Sequence, residues 1–212
     1  MQALQRARLY VFVSAVIFVA YSAHLLAHAN SDIAKPAAEE HGAERDGQHD
    51  FDFLVGSWKF HLKRLKQRLA GSTEWVEFDG TTVCQKVLDG RGEVEEMKVD
   101  NPKSHVHIQG LALRLYNPNS HQWSIYWANA ADGTLEPAPM VGQFNNGRGE
   151  FYNQQVFEGR AVYARFVWTD TNTSSPHFEQ AFSADGGKTW ETNWITTQTK
   201  ESPAASAIST NH

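Results

Sequence analysis

His105 and His107 stand two residues apart, so on an extended strand their imidazoles would share one face and could reach a common metal ion. A credible site needs a third ligand, and His61, His121 and His177 lie at no metal-binding spacing from the pair. An exposed histidine pair near a strand start is therefore expected, and no metal site. Arg114, Tyr126, Arg165, Glu179 and Asn193 sit in segments whose other residues are largely apolar, so some of them are expected to point into a protein interior. Buried charge is costly unless paired. If Arg165 and Glu179, on adjacent strands, face inward together, they would be a structural ion pair, an anchor for a ligand carboxylate, or an acid and a base. No nucleophile has an adjacent base, no glycine-rich loop could cradle phosphate, and no carboxylate pair stands out by spacing. These absences favour binding over catalysis, with an enzyme acting on a small molecule as the alternative.

The elements that must carry these side chains are strands. The seven tryptophans fall in short alternating runs such as Trp58-Lys59-Phe60-His61-Leu62 and Trp123-Ser124-Ile125-Tyr126-Trp127, each sending large rings to one face at a spacing of two. Trp123, Ile125 and Trp127 share one such face, and Phe166 and Trp168 another. The pattern predicts about ten strands, over 57–65, 74–79, 82–88, 92–99, 105–116, 122–129, 140–144, 149–157, 161–170 and a final hairpin of 177–183 with 188–198. Asp89-Gly90, Asn117-Pro118, Asp132-Gly133, Asn146-Gly147, Glu158-Gly159 and Asp185-Gly186-Gly187 supply the turn geometry between them. No helical run long enough for a parallel crossover interrupts the series, so the sheet should be antiparallel and sequentially paired. Curling it into one up-and-down barrel gives the rings a shared core and removes exposed edges. Residues 51–55 are expected to form a short helical turn at the barrel's closed end.

The segment Phe53-Leu54-Val55-Gly56-Ser57-Trp58 looks like the Gly-Xaa-Trp opening of lipocalin-like (calycin) barrels, in which Gly56 would permit the bend into the first strand and Trp58 would cap the base. Taken with Phe51-Asp52-Phe53, the run from Gly110 to Tyr116, Trp123 to Trp127, and the ending from Phe182 to Trp194, the chain resembles a large family of bacterial lipocalin-like domains of unknown function over roughly residues 50–198. That resemblance implies a fold and carries no activity, ligand or catalytic residue to transfer. Some small calycin-like barrels bind haem through one histidine, and His177 would be the candidate by position; no cofactor is otherwise expected. Residues 183–190 also look like the Asp-box of sialidase propellers. A propeller needs several copies and only one is present, so Asp185 and Trp190 are read as parts of a well-made turn.

Arg6 and Arg8 precede an apolar stretch from Leu9 that continues to Leu26, followed by Ala27-His28-Ala29. This reads as a secretory signal cleaved after Ala29, or alternatively an uncleaved anchor, which places the protein in the periplasm or outside the cell. Residues 30–50, with six acidic and two basic residues, read as a disordered linker, residues 51–200 as the barrel, and 201–212 as a polar tail. Cys84 is the only cysteine, so no intrachain disulfide is possible and burial inside a strand is expected. Within 51–200 there are 15 Lys and Arg against 17 Asp and Glu, far from the basic balance of a nucleic-acid binder. The expected partner is a small hydrophobic or amphipathic ligand held in an aromatic-lined lumen by residues among Arg114, Trp123, Tyr126, Trp127, Arg165, Glu179 and Asn193. A barrel completely filled by its own rings, serving as an interaction module, is the remaining alternative.

Overall fold

The computed structural model describes residues 45–101 and 106–202, all within the unit Gly42–His212. The signal-like segment, most of the acidic linker, His105 and the tail after residue 202 lie outside the described residues. No helix among the described residues is long and apolar enough to cross a membrane.

A 3-10 turn, Asp52–Leu54, leads into eleven strands: β1 (Gly56–Leu65), β2 (Trp75–Val87), β3 (Gly92–Asn101), β4 (Val106–Asn117), β5 (Gln122–Asn129), β6 (Thr134–Leu135), β7 (Met140–Asn145), β8 (Arg148–Phe157), β9 (Arg160–Thr169), β10 (His177–Ser183) and β11 (Glu191–Lys200), with a second 3-10 turn, Leu88–Gly90, between β2 and β3. Ten of them close an antiparallel barrel in which sequence neighbours pair and β11 returns beside β1. The two-residue β6 pairs only with the end of β5. The described residues thus form an all-β, up-and-down antiparallel barrel. Its hairpins follow the turn chemistry: Asn146 and Gly147 join β7 to β8 with φ of 51° and 79°, and Glu158 and Gly159 join β8 to β9 with 48° and 76°. Both central residues positive is the mirror-image turn whose twist matches that of the strands.

Two boundaries differ from expectation for physical reasons. The predicted break between 79 and 82 is absent, and β2 runs unbroken for 13 residues. Gly80 is no turn residue; it pairs with Phe60 across β1, and a Cβ there would collide with the Phe60 ring and the Lys98 carbonyl. The glycine makes room for a ring. The last strand begins at Glu191 rather than 188, because Asp185 draws the preceding residues into a turn: its carboxylate accepts the backbone N–H groups of Lys188 (3.1 Å) and Thr189 (2.9 Å), the Thr189 hydroxyl (2.6 Å) and the Ser183 hydroxyl (2.8 Å). These donors, the Thr189 hydroxyl first, hold the Asp185 carboxyl well below the usual carboxylate range.

One end of the barrel is closed by a plug of rings. Phe51, fully buried, sits 5.2 Å from Trp123, 4.9 Å from Phe144 and 5.4 Å from Phe151, mostly edge to face. Gly56 adopts φ 120°, and Trp58, 3% exposed, donates its indole N–H to the Leu54 carbonyl at 2.7 Å. The packing begins before Phe51. Trp123 donates its indole N–H to the Gly47 carbonyl at 2.9 Å, Gly47 N–H donates to the Tyr116 hydroxyl at 3.1 Å, and that hydroxyl donates to Asp46 at 2.7 Å. Arg45 pairs with Asp50. The end of the acidic segment is therefore clamped to the barrel base.

Candidate ligand-binding site

Strand alternation sends one set of side chains into the barrel, and above the ring plug this set does not fill the space. A cavity of about 400 Å³ remains, within the range of small-molecule sites. Its walls are apolar and aromatic, with Phe60, Met97, Ile108, Trp127, Phe166 and Trp194 prominent. Glycine and alanine make the room: Trp127 lies across Gly110, where any Cβ would clash with the indole, and Ala112 leaves the neighbouring wall low.

The floor is polar. Arg114 on β4, 3% exposed, pairs through Nη2 with Glu95 on β3, and its Nη1 lies 3.8 Å from Glu93. The Thr82 hydroxyl donates to Glu95 at 2.6 Å, and the Cys84 thiol donates to Glu93 at 3.6 Å. Beneath the guanidinium lies the plug, with the Phe51 ring at 4.9 Å and the Trp168 ring at 5.8 Å. Burial opposes the charge on Arg114, but Glu95, Cys84 and Glu93 together outweigh it and hold its pKa above the ordinary value. Glu93 is different. Burial pushes its carboxyl up to about 7, against the pull of Arg114, so near neutral pH it is partly protonated. Burial likewise pushes the Cys84 thiol up, which makes it an inert core group. Several polar atoms on this floor and wall have no hydrogen-bond partner in the protein: Arg114 Nε and Nη1, Glu93 Oε1, Trp168 Nε1 and Gln198 Oε1. Buried polar atoms of that kind are costly unless something else bonds them.

The open end carries Arg64 at the end of β1 and Arg68 in the following loop, with Asn129, Glu136 and Phe157 across from them. Arg68 lies over the Phe157 ring at 5.0 Å and near Phe182 at 5.8 Å, and Arg64 lies over Phe78 at 5.8 Å.

The predicted site residues scatter across this architecture. Arg114 and Trp127 line the cavity. Trp123 faces inward but belongs to the plug below it, against Phe51 and Tyr116. Asn193 is fully buried at a bulge between β10 and β11, where its side-chain oxygen accepts from the Gln180 amide at 2.8 Å; Gln180 lines the cavity and Asn193 stands behind it. Three expectations are corrected by strand parity. Tyr126 alternates with the lining residues Ile125 and Trp127 and so faces outward. Arg165 alternates with Phe166 and packs outside the barrel, 4.6 Å over the Trp190 ring. Glu179 lies between the lining residues Phe178 and Gln180 and bonds His177 on the outer face at 3.0 Å. Arg165 and Glu179 do not form an inward pair. His177, the residue considered for haem, shares that outer face, and no histidine lines the cavity among the described residues. His107 is exposed, and among the described residues no group of three or more His, Cys, Asp or Glu converges as a metal site.

No protein-family model matches the sequence, and the comparison with curated proteins finds no match. Solved structures do. Rv2717c from M. tuberculosis aligns with a TM-score of 0.50 at 11% identity, over 74% of this chain and 99% of that one. An S-type phycobiliprotein lyase, CPES, from Guillardia theta aligns with a TM-score of 0.49 at 12% identity, over 74% of this chain and 94% of its own. The alignment with Rv2717c shows a shared calycin-like barrel fold. At such identities no residue role passes from either protein to this one.

The residues missed by sequence reasoning are Glu93, Glu95, Thr82, Arg64 and Arg68. A signal for the acids existed. Glu93 and Glu95 share strand parity with Met97 and Val99, so placing the apolar end of β3 inward also places both carboxylates inward.

Proposed function

We propose that this chain is an exported binding protein whose barrel holds a small, partly apolar ligand. The observation that carries the reading is the cavity of about 400 Å³ with ring-lined walls, floored by buried donors and acceptors that lack a hydrogen-bond partner in the protein. Export rests on the basic residues and apolar run at the amino terminus. The ligand's apolar body would cover Trp127, Phe166 and Trp194, and one polar group would meet Arg114 and Glu95. The cavity also weighs against the filled-barrel alternative.

The test is a titration of the folded protein with medium-chain fatty acids and environment-sensitive apolar probes, read by quenching of tryptophan emission. Trp127, Trp168 and Trp194 line the cavity, so saturable quenching is expected. Ala112→Phe, which pushes a ring into the lumen, should abolish that quenching while the β-sheet circular dichroism is retained. A folded protein that binds no probe would sink the container reading.

A further inference from the structure

We propose that the lumen takes an amphipathic anion in one orientation, apolar body inward and acidic group at the mouth between Arg64 and Arg68. This rests on the ligand-binding reading above and adds the ligand's charge and direction.

Two guanidinium groups line the same mouth, and among the described residues neither forms an ion pair within 4.0 Å. Arg68 is half-buried, flanked by Phe157 and Phe182. Desolvation and then the charge of Arg64 both work against its proton, with Glu158 and Glu191 acting more weakly in the opposite sense. Glu191 is already engaged, accepting the Leu69 N–H at 2.6 Å, and Glu136 is the one acidic residue of the mouth that lines the cavity. Two like charges held together, partly out of water and stacked on rings, gain from an anion that bridges them.

The floor offers an anion no such welcome. Arg114 is matched by Glu95, with Glu93 beside it, so a carboxylate arriving there would face two carboxyl groups for one guanidinium. An uncharged hydrogen-bonding group suits the free Arg114 and Gln198 atoms better. Between floor and mouth the wall is mostly rings and aliphatic side chains, with only uncharged polar groups such as Gln180 and Thr196 among them, and this sets the ligand's body inward and its charge outward.

The experiment compares two probes with one ring frame, 1-anilinonaphthalene-8-sulfonate and its uncharged counterpart N-phenyl-1-naphthylamine, titrated into the intact protein and into the Arg64→Gln/Arg68→Gln variant. Mutual displacement on the wild type establishes a shared site. Loss of the charge-assisted bonds should weaken the sulfonate by about tenfold or more and leave the neutral probe within about twofold. Added salt should weaken the sulfonate selectively on the wild type, and Arg64→Lys/Arg68→Lys should restore much of its affinity. If the double glutamine variant loses its near-ultraviolet dichroism, Arg64→Gln alone is read by the same comparison. Equal losses for both probes, or no loss for the sulfonate, would overturn the orientation while the container stands. Failure of the neutral probe to bind the wild type saturably would instead overturn the container reading itself.

Discussion

Trp58 and Glu93 mark the two kinds of buried residue on which this barrel depends. Trp58 fills space, with its one polar atom satisfied by the Leu54 carbonyl. Removing so large a ring leaves a cavity that the closed sheet cannot collapse into, so Trp58→Ala should cost ~3–5 kcal/mol in chemical denaturation. A loss below ~1 kcal/mol would show that the ring is not part of the base. Glu93 instead stores a proton. Its folded pKa, about 7, lies above the ordinary 4.5, so its stabilising contribution is complete below about pH 4.5 and declines as pH rises through 7. Glu93→Gln carries no such proton, so the stability of wild type relative to Glu93→Gln should fall from pH 5 to about pH 7 and level off above it. Urea denaturation of both proteins across that range measures it, and a flat difference would mean that the carboxyl is ionised throughout.

At the scale of elements, glycine and aspartate do different work in the strands and in the turns. Gly80 is a mid-strand glycine that lets Phe60 cross its neighbour, and Gly80→Val would force that ring or the Lys98 carbonyl aside. Overpacking of this kind typically costs ~1–3 kcal/mol, and thermal denaturation should show the loss. Asp185 organises the β10–β11 turn through accepted hydrogen bonds rather than through packing, with the Trp190 indole N–H also turned back to the Gly187 carbonyl at 3.1 Å. Asp185→Ala should lower the melting temperature at neutral pH while leaving probe binding intact, because the turn lies outside the cavity lining. Loss of probe binding in a folded Asp185→Ala protein would tie that turn to the lumen.

At the scale of the whole barrel, the described residues form a ring of sequential hairpins whose closure, β11 on β1, joins the first and last strands. Residues 45–50 add a clamp across the base, and replacing them with a glycine-serine stretch should reduce thermal stability by removing the Asp46 carboxylate that accepts from Tyr116 and the Arg45–Asp50 ion pair, and by loosening the backbone at Gly47 that Trp123 and Tyr116 bond. An unchanged melting temperature would show the clamp to be incidental. By itself the sequence determined the strands, most of their turns and the antiparallel meander, because period-two patterning and positive-φ turn residues are local properties. It also pointed to Trp58 as a base residue and to Arg114 and Trp127 as inward groups. Tertiary structure alone decided which face of each strand meets the lumen where both faces carry large or polar residues. Arg165 and Glu179 went outward and Glu93 and Glu95 inward because a one-residue shift of parity exchanges the two faces. That parity is set by the register of neighbouring strands around a closed barrel. The cavity has the same origin: its volume depends on where Gly110, Ala112 and the surrounding rings meet across strands far apart in the chain.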